Sequence, residues 1–264
     1  MAARRFDTPA GDRGGSAPDG IGPPGFRGLR NRRKETVMAD IHGSNQPDTL
    51  FGTMRDDRID GRGGDDVLTG LGGSDRILGG AGNDTIHDDA VDVFRDPFYP
   101  GGDDLVFGGP GDDFIRLSFG NDTADGGAGN DTIRDDLDTD DILVGGAGND
   151  LLIDFSGADL YLGGSGDDRI VDGHLIITGP DDGADRYLFE RVRGGFGNDT
   201  ILGFDQGYGD RIEFQGYRPS DLLALTETER ATVFSFRDGS QLTVYQDEQQ
   251  ILHGMTLGQD YFFV

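Results

Sequence analysis

The sequence contains no cysteine, which excludes disulfides, thiolate metal sites and a cysteine nucleophile. It has four histidines, His42, His87, His174 and His253, too far apart in sequence to read as a metal centre. Each is expected at the surface or in a loop. No apolar run approaches the ~20 residues that a membrane helix needs. Basic residues are scarce: 23 Lys and Arg stand against 50 Asp and Glu, a net charge of −27. That excess is far too acidic for a nucleic-acid or anionic-membrane binder. Residues 1–37 depart from it, with eight basic and four acidic side chains. They are rich in Arg, Gly and Pro, and they lack the apolar core of a cleaved secretory signal. They read as a disordered arm, with a short arm for an acidic partner as the alternative reading. Met38 offers an alternative start to the chain.

Catalytic signatures are missing as well. There is no H-E-x-x-H, no G-x-S-x-G elbow and no P-loop. Residues 136–140, Asp-Leu-Asp-Thr-Asp, open like an EF-hand. The sixth position of that loop is Asp141 where Gly is needed, and the twelfth is Ala147 where Glu is needed. Paired carboxylates occur along the whole chain and therefore say little about acid–base catalysis. No enzyme is expected.

What the chain does have is glycine and aspartate in a fixed order. Residues 79–87, Gly-Gly-Ala-Gly-Asn-Asp-Thr-Ile-His, set the pattern G-G-x-G-x-D-x-U-x, with U a large apolar residue. It returns without a fault at 108–116, 126–134, 145–153, 163–171 and 194–202. Looser copies start at Gly43, Gly52, Gly61 and Gly70. The first five nonamers place Asp48, Asp57, Asp66, Asp75 and Asp84 at position six, and Leu50, Ile59, Leu68, Ile77 and Ile86 at position eight. Repeats over 99–134 carry Asp104, Asp113, Asp122 and Asp131. After one extra residue, Asp135, those over 136–171 carry Asp141, Asp150, Asp159 and Asp168. A worn copy at 180–188 (Asp185, Tyr187) and the copy with Asp199 and Ile201 end the array. Scattered aspartates would read as a disordered acidic chain; aspartates at one place in a nonamer do not.

The pattern has a physical reason. Glycine at positions one, two and four permits turns with positive φ and leaves backbone carbonyls bare. Calcium, a hard cation, prefers six to eight oxygen ligands at ~2.3–2.6 Å. The aspartate adds charge and a carboxylate that can be bidentate. The closing x-U-x reads as a short strand with its middle side chain inward.

These nonamers resemble the calcium-binding repeats of RTX (hemolysin-type) proteins, and the resemblance covers about 43–264. It implies an all-β fold, a right-handed parallel β-roll in which two nonamers make one coil. Each ion would sit between turns two repeats apart. The resemblance implies several Ca2+ ions, held by Gly80, Gly82 and Asp84; by Gly109, Gly111 and Asp113; by Gly127, Gly129 and Asp131; by Gly146, Gly148 and Asp150; by Gly164, Gly166 and Asp168; and by Gly195, Gly197 and Asp199. The looser copies would add Asp57, Asp66, Asp75, Asp104, Asp122, Asp141 and Asp159.

Reading the repeats by row, the copies at 108, 126, 145 and 163 stack on one edge. The copies between them begin Tyr-Pro, Leu-Ser, Asp-Leu and Asp-Phe and lose both leading glycines. Two unequal edges are expected, one a continuous calcium ladder through Asp113, Asp131, Asp150 and Asp168. Asp84 and Asp199 join it where 88–98 and 172–179 loop out. Ordering such a coil costs more than its narrow core returns, so the roll is expected to fold only with metal.

The expected organisation is a disordered arm over 1–42, the roll over 43–202 with loops at 88–98 and 172–193, and a small β-rich cap over 203–264. Residues 203–214 resemble the segment that closes RTX arrays. Residues 231–237 and 240–246 alternate around Asp238-Gly239, a strong hairpin signal. Ser220 reads as the N-cap of a short helix. Residues 260–264 look like the end of an uncleaved type I secretion signal, and read equally well as a final strand. The resemblance implies a secreted, extracellular or cell-surface structural or interaction module, with the type I secretion machinery as a partner. The alternative is the secretion and folding module of a type I-exported protease or lipase. The roughly 42 residues before the first repeat, too few for a catalytic domain, favour the first reading.

Overall fold

The computed structural model describes residues 38–89, 101–135, 137, 139–172, 184–206, 209–228, 230–245, 255, 258 and 260–264. The arm 1–37, loop residues 90–98 and 173–183, His174, His253, Asp136 and Asp138 lie outside the described residues.

Successive nonamers deliver their strands to two sheets in alternation. One sheet has ten strands, entirely parallel. It runs through Asp40–His42, Arg58–Gly63, Arg76–Ala81, Leu105–Pro110, Thr123–Ala128, Ile142–Ala147, Leu160–Ser165, Arg186–Glu190, Arg211–Gln215 and Tyr261–Phe263. The other has eleven strands, led by Thr49–Phe51, Val67–Leu71, Thr85–Asp89, Phe114–Arg116, Thr132–Arg134, Leu151–Ile153, Arg169–Val171 and Asn198–Leu202. The pairing of Ile59 with Ile77 and of Leu68 with Ile86 shows the rule: each strand meets its counterpart one coil away. The architecture is a parallel β-roll.

Position eight builds the core. Ile59, Ile77, Val106, Ala124, Leu143, Tyr161 and Tyr187 form one buried column. Leu68, Ile86, Ile115, Ile133, Leu152, Ile170 and Ile201 form the facing one. Each strand thus gives about one large side chain to the interior, and every coil relies on its neighbours for burial. Toward the C-terminal end the filling turns aromatic: Tyr161 stacks on Tyr187 at 5.1 Å, and Phe189, Phe196, Phe214, Tyr217, Phe234 and Phe236 cluster beyond them.

Four local readings are corrected. The stretch 172–193, expected as a loop, contains the strand Arg186–Glu190, whose Tyr187 pairs with Tyr161. Asp88 and Asp89, assigned to the loop 88–98, end the strand Thr85–Asp89. The helix expected after Ser220 is a single 3-10 turn, Pro219–Asp221, and Leu222–Glu227 is a strand. That strand lies antiparallel to Ala231–Phe236, with Leu225 opposite Phe234; pairing against a ready sheet outweighs a weak helical preference. The hairpin about Asp238-Gly239 is present, joining Ala231–Phe236 to Gln241–Tyr245. Through Gln241–Tyr245 it continues the eleven-stranded sheet in parallel with Asn198–Leu202. His87, expected at the surface or in a loop, sits half-buried in a strand against Phe114.

Candidate metal centre

The position-six aspartates lie at the corners where the chain passes between sheets. On the first edge, leading from the ten-stranded to the eleven-stranded sheet, they form a hydrogen-bonded ladder. The N–H of Asp66 donates to Oδ1 of Asp84 at 2.8 Å, Asp84 to Asp113 at 2.7 Å, and Asp113 to Asp131 at 2.8 Å. Asp131 donates to Asp150 at 2.8 Å, Asp150 to Asp168 at 2.9 Å, and Asp168 to Asp199 at 3.0 Å. Asp84 and Asp199 therefore join the row in spite of the longer stretches beside them. The second edge has its own ladder, Asp57 to Asp75, Asp104, Asp122, Asp141, Asp159 and Asp185.

The ladder uses one oxygen of each carboxylate. The other, Oδ2, is buried and accepts no hydrogen bond in Asp66, Asp84, Asp113, Asp131, Asp150, Asp168 and Asp199 on the first edge. The same holds for Asp75, Asp104 and Asp122 on the second. A buried carboxylate oxygen without a partner is costly, and its recurrence along both described ladders calls for a common ligand.

The surroundings define what that ligand is. A Cβ added at Gly79 would stand 2.4 Å from Asp84 Oδ2 and 2.6 Å from the Gly108 carbonyl oxygen. At Gly145 it would stand 2.5 Å from Asp150 Oδ2 and 2.6 Å from the Gly163 carbonyl oxygen. The absent side chains leave a space framed by carboxylate and carbonyl oxygens, the donor set of a hard cation such as calcium. Gly80 and Gly82, with φ of 114° and 135°, supply the turn. At position two, Arg62 and Leu71 hold φ of 75° and 89°, a region that side chains ordinarily avoid.

The two edges differ in how their oxygens are used. At the N-terminal end, Oδ2 of Asp48 and of Asp57 accept the N–H of Ser44 and of Thr53, each at 2.5 Å. On the second edge, Asp141 Oδ2 takes the Thr139 hydroxyl at 3.2 Å and Asp159 Oδ2 the Tyr161 hydroxyl at 3.4 Å. On the first edge, Oδ2 of every ladder aspartate from Asp66 to Asp199 carries no such donor.

Burial makes this charge expensive. It raises the carboxyls of Asp113 and Asp150 to about 7, Asp168 to about 6 and Asp199 to about 9, with neighbouring aspartates adding to the shift and ladder N–H groups opposing it. On the second edge burial raises Asp75 to about 7, Asp104 to about 9 and Asp122 to about 10. A bound cation would favour the charged form of each.

Further acidic residues escaped the sequence reading. Asp88, Asp89, Asp135, Asp154, Asp172 and Asp210 are buried. They join ladder residues in three groups: Asp88, Asp89 and Asp104; Asp135, Asp141 and Asp154; Asp172, Asp185 and Asp210. The signal was present: Asp88, Asp135, Asp154 and Asp172 each follow directly on an x-U-x strand.

A parallel roll with carboxylate ladders on glycine corners defines a calcium-binding repeat protein. The chain carries RTX calcium-binding nonapeptide repeats: the model of that repeat matches four times, at residues 51–86, 101–133, 137–170 and 189–206. Among solved structures it is similar to the extracellular lipase LipA from Serratia marcescens, at 20% identity and a TM-score of 0.27. That alignment covers 79% of this chain and 39% of the lipase, so the chain spans well under half of that protein's length. No curated protein matches it.

Proposed function

We propose that this chain is a secreted structural or interaction module whose roll, over 43–202, is completed by calcium outside the cell, with 203–264 closing its C-terminal end. The observation that carries the reading is the row of buried Oδ2 atoms from Asp66 to Asp199, each without a hydrogen bond. Asp84, Asp113, Asp131, Asp150, Asp168 and Asp199 would hold the ions on the first edge, together with carbonyl groups of their glycine corners. Calcium bound there supplies the positive charge that offsets a column of like charges.

The chain's own residues do the rest. Each Oδ1 fixes its carboxylate against the preceding coil, so Oδ2 is turned to the ion as the coils close. Where free calcium is scarce, the ladders repel and the narrow core cannot order the chain, which keeps it open for export through a type I channel. At extracellular calcium, sites with dissociation constants of ~10⁻⁴–10⁻³ M fill and draw the equilibrium to the folded state.

Far-UV circular dichroism of the full chain during a calcium titration, with magnesium as control, tests this. A cooperative gain of β signal with calcium alone is expected. A spectrum already rich in β structure in chelator would overturn the claim that calcium completes the roll.

A further inference from the structure

We propose that the second edge carries a different kind of calcium site, made of three carboxylates where the first edge has one carboxylate and glycine carbonyls. A Cβ on Gly70, at position one of its nonamer, would meet the Asp88 carbonyl oxygen at 2.2 Å. Asp88 thus occupies the same corner one coil further on, and Asp135 and Asp154 recur there in later coils. In each case the corner glycine is exchanged for an acid. The exchange brings Asp88 and Asp89 to Asp104, and Asp135 and Asp154 to Asp141, with one oxygen from each member of a group within 4.8 Å of the others.

A cluster of acids alone would carry little, because protonated carboxyls can share hydrogen bonds. Two features point to a cation. Asp89 Oδ1, Asp104 Oδ2 and Asp154 Oδ2 are buried within these groups and take no hydrogen bond. Neutral hydroxyls reach both clusters: the single Ser118 hydroxyl lies between Asp88 Oδ1 and Asp89 Oδ2 at 3.1 and 3.0 Å, and that of Thr139 between Asp135 Oδ2 and Asp141 Oδ2 at 3.3 and 3.2 Å. They orient the carboxylates and leave their charge in place. The third group is more fully engaged, since Tyr187 donates to Asp172 and both oxygens of Asp210 accept backbone N–H groups. The inference therefore rests on the first two.

Calcium affinity in oxygen sites rises with the number of charged ligands and with rigidity. The two clusters should bind more tightly than the glycine corners and fill first. Since each spans neighbouring coils, filling them would pin the second edge while the first is still being loaded. This inference goes beyond the calcium-completed roll but rests on it.

Calorimetric titration of the full chain with calcium tests it, alongside Asp89→Asn, Asp154→Asn and the first-edge control Asp131→Asn. The wild type should show a tight class of one ion per cluster, with a dissociation constant at least about tenfold below that of the weaker class. Asp89→Asn and Asp154→Asn should each delete one tight ion and leave the weaker class intact, and Asp131→Asn the reverse. A single class in the wild type, or a tight class that survives both substitutions, would overturn the inference while leaving the first-edge ladder standing. No calcium uptake at all would overturn the ladder itself. Should a variant fail to reach the wild-type spectrum in saturating calcium, terbium luminescence on the wild-type chain decides, with two classes of site expected and one class overturning the inference.

Discussion

The backbone N–H of Asp84 donates to Oδ1 of Asp113 at 2.7 Å, although 29 residues separate them in the chain. The same bond between Asp113 and Asp131 spans 18 residues. The ladder therefore reads position in the coil and not distance along the sequence, and it divides each carboxylate into a structural oxygen and an available one.

Asp131→Asn separates these two roles. Asparagine keeps an Oδ1 for the Asp113 N–H and replaces the unbonded oxygen by an amide. Half-saturating calcium should rise by on the order of tenfold, while the metal-free chain gains stability from the lost charge. Calorimetry with calcium, and far-UV circular dichroism in chelator for any gain of β signal, would check the two signs separately.

Gly145→Ala fills the cradle beside Asp150, where the new methyl would stand 2.5 Å from Oδ2. Gly63→Ala is the control, since its methyl would meet only the Ala81 carbonyl at 3.4 Å and its side chain. The first should weaken calcium-induced folding by about tenfold or more, and the second should leave its midpoint near the wild-type value. The calcium midpoint of the circular dichroism transition is the readout.

Arg62→Gly removes a side chain from a residue at φ 75°. Release of left-handed strain should stabilise the calcium-loaded roll by about 1 kcal/mol. In a domain of this size that is roughly 2–4 °C in melting temperature. Differential scanning calorimetry in saturating calcium would show no gain were the strain relieved elsewhere.

The pH dependence without metal should be the reverse of that of a fold held by ion pairs. Burial raises Asp199 to about 9 and Asp113 and Asp150 to about 7, against about 4 in the unfolded chain. Between these limits the folded state binds more protons, so metal-free stability falls as pH rises and grows as pH drops through the folded values. With calcium the order inverts, because ions and protons compete for the same oxygens. In chelator, β signal should be greater at about pH 5 than at about pH 8, and apparent calcium affinity should increase over that range.

The repeat made most of this architecture legible. A nine-residue period with one apolar residue at position eight contains the paired sheets, the two core columns and both ladders. The joining of Asp84 and Asp199 to the first row followed from letting the intervening residues loop out. What escaped was local. Asp88 and Asp154 replace corner glycines, so a search for intact nonamers treats them as wear, and only the stacking of coils brings them to Asp104 and Asp141. Leu222–Glu227 has a helix-like composition, and its strand is set by the hairpin beside it. The engagement of Asp57 Oδ2 with the Thr53 N–H has no sequence signature, since the nonamer at Gly61 also lacks the leading glycine pair and its Asp66 Oδ2 takes no hydrogen bond.

The wiring of aspartate to aspartate one turn away also gives the array a parity. Spans of 18, 19, 26, 29 and 31 residues all close a single turn, with the surplus falling between strands. Loss of one nonamer would send every later repeat to the opposite sheet and the opposite corner. Loss of a pair would restore each to its own row. An array built this way changes length in even steps.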